Sequence, residues 1–281
     1  MEFSAADVKK LRDKTGAPMM DCKRALEEAE GDYAKAEEIL REKGKAEAAK
    51  RSSRQTKAGV ALFVASPDGK SVGGAVLESE TDFVAMTEEF VADTERIAKA
   101  FVGSEPGEDP SAAISGGMTV GQIVQAVGAQ FRENVRLAQA VRMTTNATIA
   151  TYIHHDKTKA AAVEVEGTAT TLAEAGHKLA IQCVAYPPRY VEKKEIPQEI
   201  LDKELEIETK RAIEEGKKED IAKNIAMGRI NKEFVKSVVL LEQPFYADAS
   251  KSVSDYIAEQ AKAGGGSIAV KRFLYIAVGE G

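Results

Sequence analysis

The sequence predicts an α+β protein: a small N-terminal three-helix domain, then a duplicated core of antiparallel sheets with packed helices, interrupted by an inserted antiparallel helical hairpin. Three observations carry this reading. Helical apolar spacing fills the first 44 residues, a β-hairpin pattern followed by an amphipathic helix occurs twice, and a highly charged helical stretch lies inside the second copy. The expected segments are 1–44 for the helical domain, 45–58 for a basic linker and 59–146 for the first core half. The second half takes 147–190 and 231–281, around a hairpin at 191–230.

In the first segment Ser4, with Asp7 three positions on, can cap a helix that carries Val8 and Leu11 and stops at Thr15-Gly16. Pro18 opens a second helix with Cys22, Ala25, Leu26 and Ala29 on one face, ended by Gly31. Asp32 caps a third, with Ala36, Ile39 and Leu40 inward and Gly44 at its end. A core this small is marginal, so the domain is expected to dock on something. Met19 and Met20 are adjacent, about 100° apart on a helix, so at least one should leave the core face. Methionine also fills gaps in small cores, which leaves both readings open. Residues 41–57 hold seven basic and two acidic residues and read as a helical extension fading into a solvated linker.

From Gly59 the texture changes. GVALFVAS and SVGGAVLESE flank a Pro67-Asp68-Gly69 reversal, giving a β-hairpin. Phe90, Val91, Thr94, Ile97, Ala98 and Phe101 then follow at helical spacing. After a Gly/Pro/Ser-rich loop at 103–118, helices are expected at Thr119–Val127 and near Gln130–Asn134. VRLAQAVRMTT, IATYIHHD and KAAAVEVEG read as strands, and TLAEAGHKLAIQCVAY as the second amphipathic helix. Residues 192–220 contain seven basic and eleven acidic residues, with a narrow seam of Leu201, Leu205 and Ala212. Gly216 separates this arm from a second carrying Ile221, Ala222, Ile225 and Ala226. The chain closes with a short helix at Val253–Ala261 and a strand, SIAVKRFLYIAV.

The composition narrows the function. At −6 net charge, 6% aromatic and no Trp, the chain lacks the basic excess and stacking platforms of a direct nucleic-acid binder. No apolar run reaches the roughly 18 residues of a spanning helix, and MEFSAADVKK has no apolar signal core, so no membrane role and a cytoplasmic location are expected. Cys22 and Cys183 belong to no CxxC pair and read as small apolar residues in a reducing compartment. There is no phosphate-binding loop, dinucleotide fingerprint, HExxH or GxSxG, and no nucleophile with a base. No catalytic residue, cofactor or metal is therefore expected. His154 and His155, read as neighbours on a strand, should face opposite ways and not share an ion.

One junction stands out. The first copy passes from strand to helix through ESETDFVAM, and the second through EVEGTATTLAE, without an Asp-Phe pair. Thr87, followed by Glu88 and Glu89, suits the N-cap of the next helix, with Met86 and Val91 as its staple. Phe83 is then free for another role.

The motifs TGAPMMDCKRAL, ESETDFVA, TYIH, GRINKEFVKSVVLLEQPFYAD and RFLYIAVGEG, in this order along essentially the whole chain, resemble those of the bacterial translation elongation factor Ts family. The resemblance implies a ubiquitin-associated (UBA-like) N-terminal domain. It also implies guanine nucleotide exchange on the GTPase elongation factor Tu, with no covalent chemistry. Thr81, Asp82, Phe83 and Val84 match the segment that enters beside the partner's Mg²⁺ and phosphate site, displaces the ion and promotes GDP release before GTP rebinds. Arg12, Met19, Met20 and Lys23 match docking positions in the first domain, and His154 a contact of the core. Many members continue past VGEG into a short C-terminal helix, whereas this sequence stops at Gly281, so no contact from such a helix is expected. The alternative is a UBA-like or chaperone-type adaptor without exchange activity. The helical hairpin is a candidate for homodimerisation in either case.

Overall fold

The computed structural model describes residues 3–280; Met1, Glu2 and Gly281, at the ends of the expected 1–44 and 231–281 segments, lie outside the described residues. The chain forms two units. One comprises Met1–Thr144, Ile153–Ala160 and Ile276–Gly281, the other Thr145–Tyr152 and Ala161–Tyr275.

The first unit begins with α1 (Ala5–Thr15), α2 (Met19–Glu28) and α3 (Tyr33–Arg51). Ser4 and Asp7 form the expected capping box, and Gly16 closes α1 with φ 68°, a left-handed angle that glycine reaches at no steric cost. Val8, Leu11, Cys22, Ala25, Leu26, Ala29, Ala36 and Leu40 make the small core. Helix α3 does not stop at Gly44: it runs on to Arg51, through half of the 45–58 stretch expected to be linker. Lys50 and Arg51 in its last turn suit the negative end of the helix dipole, and Ala46, Ala48 and Ala49 are strong helix formers.

Strands β1 (Ala58–Ala65) and β2 (Ser71–Ser79) form the expected hairpin. A four-residue helix, α4 (Asp82–Ala85), precedes α5 (Glu88–Gly103). Gly73 is required here, because a Cβ at that position would fall 2.2 Å from the Ala98 carbonyl oxygen of α5. That close approach seals Phe90, Ile97 and Phe101 against Leu62, Ala75 and Leu77, all buried, at about 1.5–3 kcal/mol for each large side chain. A two-residue ladder, β3 (Ile114–Ser115) with β4 (Met118–Thr119), crosses the 103–118 loop. One helix, α6 (Val120–Phe131), stands where two were expected: Thr119 and Gln122 cap it as a box, and Arg132 ends it in the left-handed region at φ 58°. Strand β5 (Arg136–Thr144) then pairs with β2, giving the order β1-β2-β5.

The second copy places β6 (Thr148–Ile153), β7 (Lys159–Gly167) and α7 (Leu172–Ala185) in the same succession. The hairpin follows as α8 (Gln198–Glu214) and α9 (Glu219–Arg229), turned at Gly216 with φ 86°. A π-helical turn at Ile230–Phe234 leads into α10 (Val235–Val238). Ala212, Ala222 and Ala226 are fully buried where the arms meet, but Ile221, expected in the seam, is exposed. A small ladder, β8 (Pro244–Phe245) with β9 (Asp248–Ser252), precedes α11 (Val253–Ala263), and β10 (Ile268–Ala277) completes the order β10-β7-β6. The middle strand, β7, is the second of its hairpin, as β2 is in the first sheet. Leu179, Cys183, Val253 and Tyr256 sit in the core of this unit. The buried Gln182 is satisfied there: its amide nitrogen donates to the Gln243 side chain, and its oxygen accepts the Tyr246 N–H at 2.7 Å. Among the described residues no helix is long and apolar enough to cross a membrane.

Candidate protein-docking site

The TDFV segment forms α4 because Thr81 is extended (φ −125°, ψ 152°) and the next four residues complete a single turn before Met86. Two side chains of this turn go inward and two go out. Val84 and Ala85 are buried against the β1-β2-β5 core, whereas Asp82 and Phe83 are exposed, Phe83 to 82%. Met86 is 78% exposed and is not the expected staple; α5 is started instead by Thr87, whose hydroxyl accepts the Phe90 N–H at 3.2 Å. Phe83 and Met86 thus leave two large apolar side chains in water within four residues.

The turn is tied down from behind. The Glu133 carboxylate accepts the backbone N–H groups of Glu80 at 3.0 Å and Thr81 at 3.1 Å, and the Thr81 hydroxyl at 2.5 Å. Glu80 returns the contact, accepting from the Asn134 N–H and from Arg54. Asn134 in turn donates to the Arg54 carbonyl at 2.7 Å. Charge-assisted bonds of this kind are about twice as strong as neutral ones. They fix the entry to α4 without touching Phe83. Glu133 was missed in the sequence because nothing local couples it to a motif 52 residues away.

In the three-helix domain, Arg12, Met19, Met20 and Lys23 are all exposed, Met19 to 43% and Met20 to 60%. Neither methionine fills the small core, which is complete without them. Val84 is the one member of the motif sealed inside, and Thr81 is half-buried in its hydrogen bonds. His154 is half-buried, and it lies one residue beyond the end of β6, in a turn shared with His155. The two rings meet edge to face with centroids 4.3 Å apart, so the strand alternation expected to separate them does not apply. Cys22 and Cys183 are free and buried.

The comparisons with known proteins give the class and then the family. A family model described as elongation factor TS matches residues 80–280. Proteins named elongation factor Ts align along nearly the whole chain. The one from Chloroherpeton thalassium is 38% identical over 289 residues, covering 99% of each chain. The one from Aquifex aeolicus is 37% identical over 291 residues, also covering 99% of each, and one from Clostridium botulinum is 37% identical over 285, covering 99% of this chain and 94% of that protein. The protein is thus a bacterial-type translation elongation factor. The chain belongs to the elongation factor Ts family.

Proposed function

We propose that this chain is the guanine nucleotide exchange factor of elongation factor Tu, and that Phe83, carried on α4 with Asp82 beside it, is the group that loosens GDP. The observation that carries the reading is the contrast across one turn: Phe83 is 82% exposed while the backbone two residues before it, at Thr81, is anchored by Glu133. An aromatic side chain held out on a fixed stem suits insertion into another protein. A GTPase holds Mg²⁺ largely through phosphate oxygens and waters, so a wedge that shifts the elements around it weakens both ion and nucleotide. By linkage, the factor and GDP lower each other's affinity by the same factor, and GTP in excess then completes the cycle. Binding energy does this work, with no bond made or broken in this chain.

Arg12, Met19, Met20 and Lys23 supply docking from the three-helix domain, whose third helix ends at Arg51, and His154 supplies a contact from the core. The decisive test is stopped-flow release of a fluorescent GDP from elongation factor Tu. Phe83→Ala is expected to slow release at saturating factor while leaving association nearly intact. Release at the wild-type rate would remove Phe83 from the mechanism, and no acceleration by the wild-type chain would favour the adaptor reading. We infer in addition that Ile207, Ile213, Ile221 and Met227, 44–54% exposed along α8 and α9, let two copies of the chain associate through the hairpin.

A further inference from the structure

We propose that His154, His155 and Asp156 form a surface site for a divalent cation of the zinc class, on the turn between β6 and β7. Each of the three residues offers one ligand atom, and these atoms lie within 4.8 Å of one another. Imidazole nitrogen and carboxylate oxygen are a donor set that Zn²⁺ takes at about 2.0–2.2 Å, which puts tetrahedral ligand atoms roughly 3.3 Å apart. The difference is within reach of rotation of the His155 ring, which is exposed. Magnesium and calcium favour all-oxygen shells, so two imidazoles select against them.

The turn is held in place for this role. The His154 N–H donates to the Lys159 carbonyl at 2.9 Å, and the Lys157 N–H donates to the His154 carbonyl at 2.8 Å. Lys157 adopts φ 57°, the left-handed angle that closes the loop, and its carbonyl accepts the Ala61 N–H of β1 at 2.7 Å. One oxygen of Asp156 accepts both the N–H and the hydroxyl of Thr158, at 2.9 and 2.8 Å, which fixes the carboxylate and leaves its other oxygen for a cation. Orientation of a ligating group by an outer hydrogen bond is characteristic of metal sites. Three protein ligands leave a fourth position for water. The site uses residues of this chain alone; it shares His154 with the docking surface proposed above, but zinc binding is measured without the partner, so its failure and that of the exchange reading are distinguishable.

Both cysteines are fully buried, so zinc taken up by the folded chain does not report on them. The test is isothermal titration of Zn²⁺ into untagged, chelator-treated full-length chain. One-to-one saturable binding is expected, weakened at least about tenfold in His155→Gln and in Asp156→Asn, and by less in Thr158→Val, which loses one of the two bonds that orient the carboxylate. His177→Gln, on α7, should bind as the unmodified chain does. Absence of saturable binding overturns the proposal, and so does wild-type affinity in His155→Gln, whose exposed position makes misfolding no explanation.

Discussion

Glu133 and Thr81 are joined twice: one carboxylate accepts both the backbone N–H and the hydroxyl of Thr81, at 3.1 and 2.5 Å. The threonine thereby loses the freedom to swing the turn that follows it. If Phe83 acts as a wedge, it can push only as hard as its stem resists. Glu133→Ala is therefore expected to slow GDP release about tenfold, the rate equivalent of about 1.4 kcal/mol, with association much less affected. Glu133→Gln keeps a carbonyl acceptor for the Thr81 N–H and should recover part of the loss. A rate that falls only in proportion to lost affinity would make Glu133 a stabilising residue and no more.

Within α4 the two faces should respond oppositely to truncation. Phe83→Ala removes a side chain 82% in water and should change stability by no more than about 0.5 kcal/mol. Val84→Ala removes buried methyl groups from the first core and should cost about 1.5–2 kcal/mol. Urea denaturation of both variants measures this, and a large loss in Phe83→Ala would mean that the phenylalanine packs on its own chain.

Much of this fold was legible because its signals are local. Ser4 with Asp7, Asp32, Thr87 and Gly16 mark helix ends within three or four residues of the groups they bind, and the apolar runs GVALFVAS and SVGGAVLESE around the Pro67-Asp68-Gly69 reversal specify a strand pair. What was not legible depends on partners far along the chain. The helical extension read in 41–57 is there, but the stop expected at Gly44 came too early, because a lone glycine costs a helix only about 1 kcal/mol and the alanines beyond it carry α3 on to Arg51. Merging the two expected helices near residue 130 into α6 needed Gly128, close against the Glu133 carbonyl, to be tolerated in the last turns. In the docking site, the exposure of Phe83 was suggested by the missing Asp-Phe pair in the second copy. Its anchoring by Glu133 could not be, and the exposure of Met86 contradicted a local staple.

Acid should loosen the seam around Glu78. This carboxylate is fully buried, yet it accepts the Gly279 N–H at 3.0 Å, the Thr56 hydroxyl at 2.8 Å and two bonds from Arg136. Burial favours the neutral acid, but the hydrogen bonds and the guanidinium outweigh it and hold the carboxyl below the ordinary glutamate range. A lowered folded-state value means the stabilisation is complete above the ordinary range and disappears as pH falls through the lowered value. Glu78→Gln should therefore cost about 2 kcal/mol at neutral pH and flatten the acid limb of the stability profile. A variant whose stability falls as steeply in acid as that of the wild type would show that the loss arises elsewhere.

The hairpin prediction concerns assembly. Ile207, Ile213, Ile221 and Met227 lie at 44–54% exposure on two helices that are tied to each other by ion pairs, among them Arg229 with Glu208 and Glu215. If two copies meet through this surface, light scattering should give a mass that rises with concentration. Replacing Ile213 and Ile221 by Lys should return it to the monomer mass of 30.2 kDa. A monomer at all concentrations would leave the hairpin with a role inside one chain only.

The three-helix domain should contribute affinity more than rate. Its core is complete without Met19 and Met20, so replacing both by Ala is expected to leave its thermal transition within about 2–4 °C of wild type. The same variant gives up two flexible, polarisable side chains suited to an adaptable interface, and calorimetry with elongation factor Tu should show affinity lower by about tenfold or more. Release of GDP at saturating factor should be nearly unchanged if Phe83 is the wedge, because the variant leaves Phe83 in place. Truncation is the harsher form of the experiment, and it should remove residues 1–57: a cut at 44 would divide α3 and leave Lys45–Arg51 as a helix without its first turns. Unaltered affinity in both the double variant and the truncation would exclude the domain from docking, whereas loss of saturating rate with unaltered affinity would place it in the release step itself.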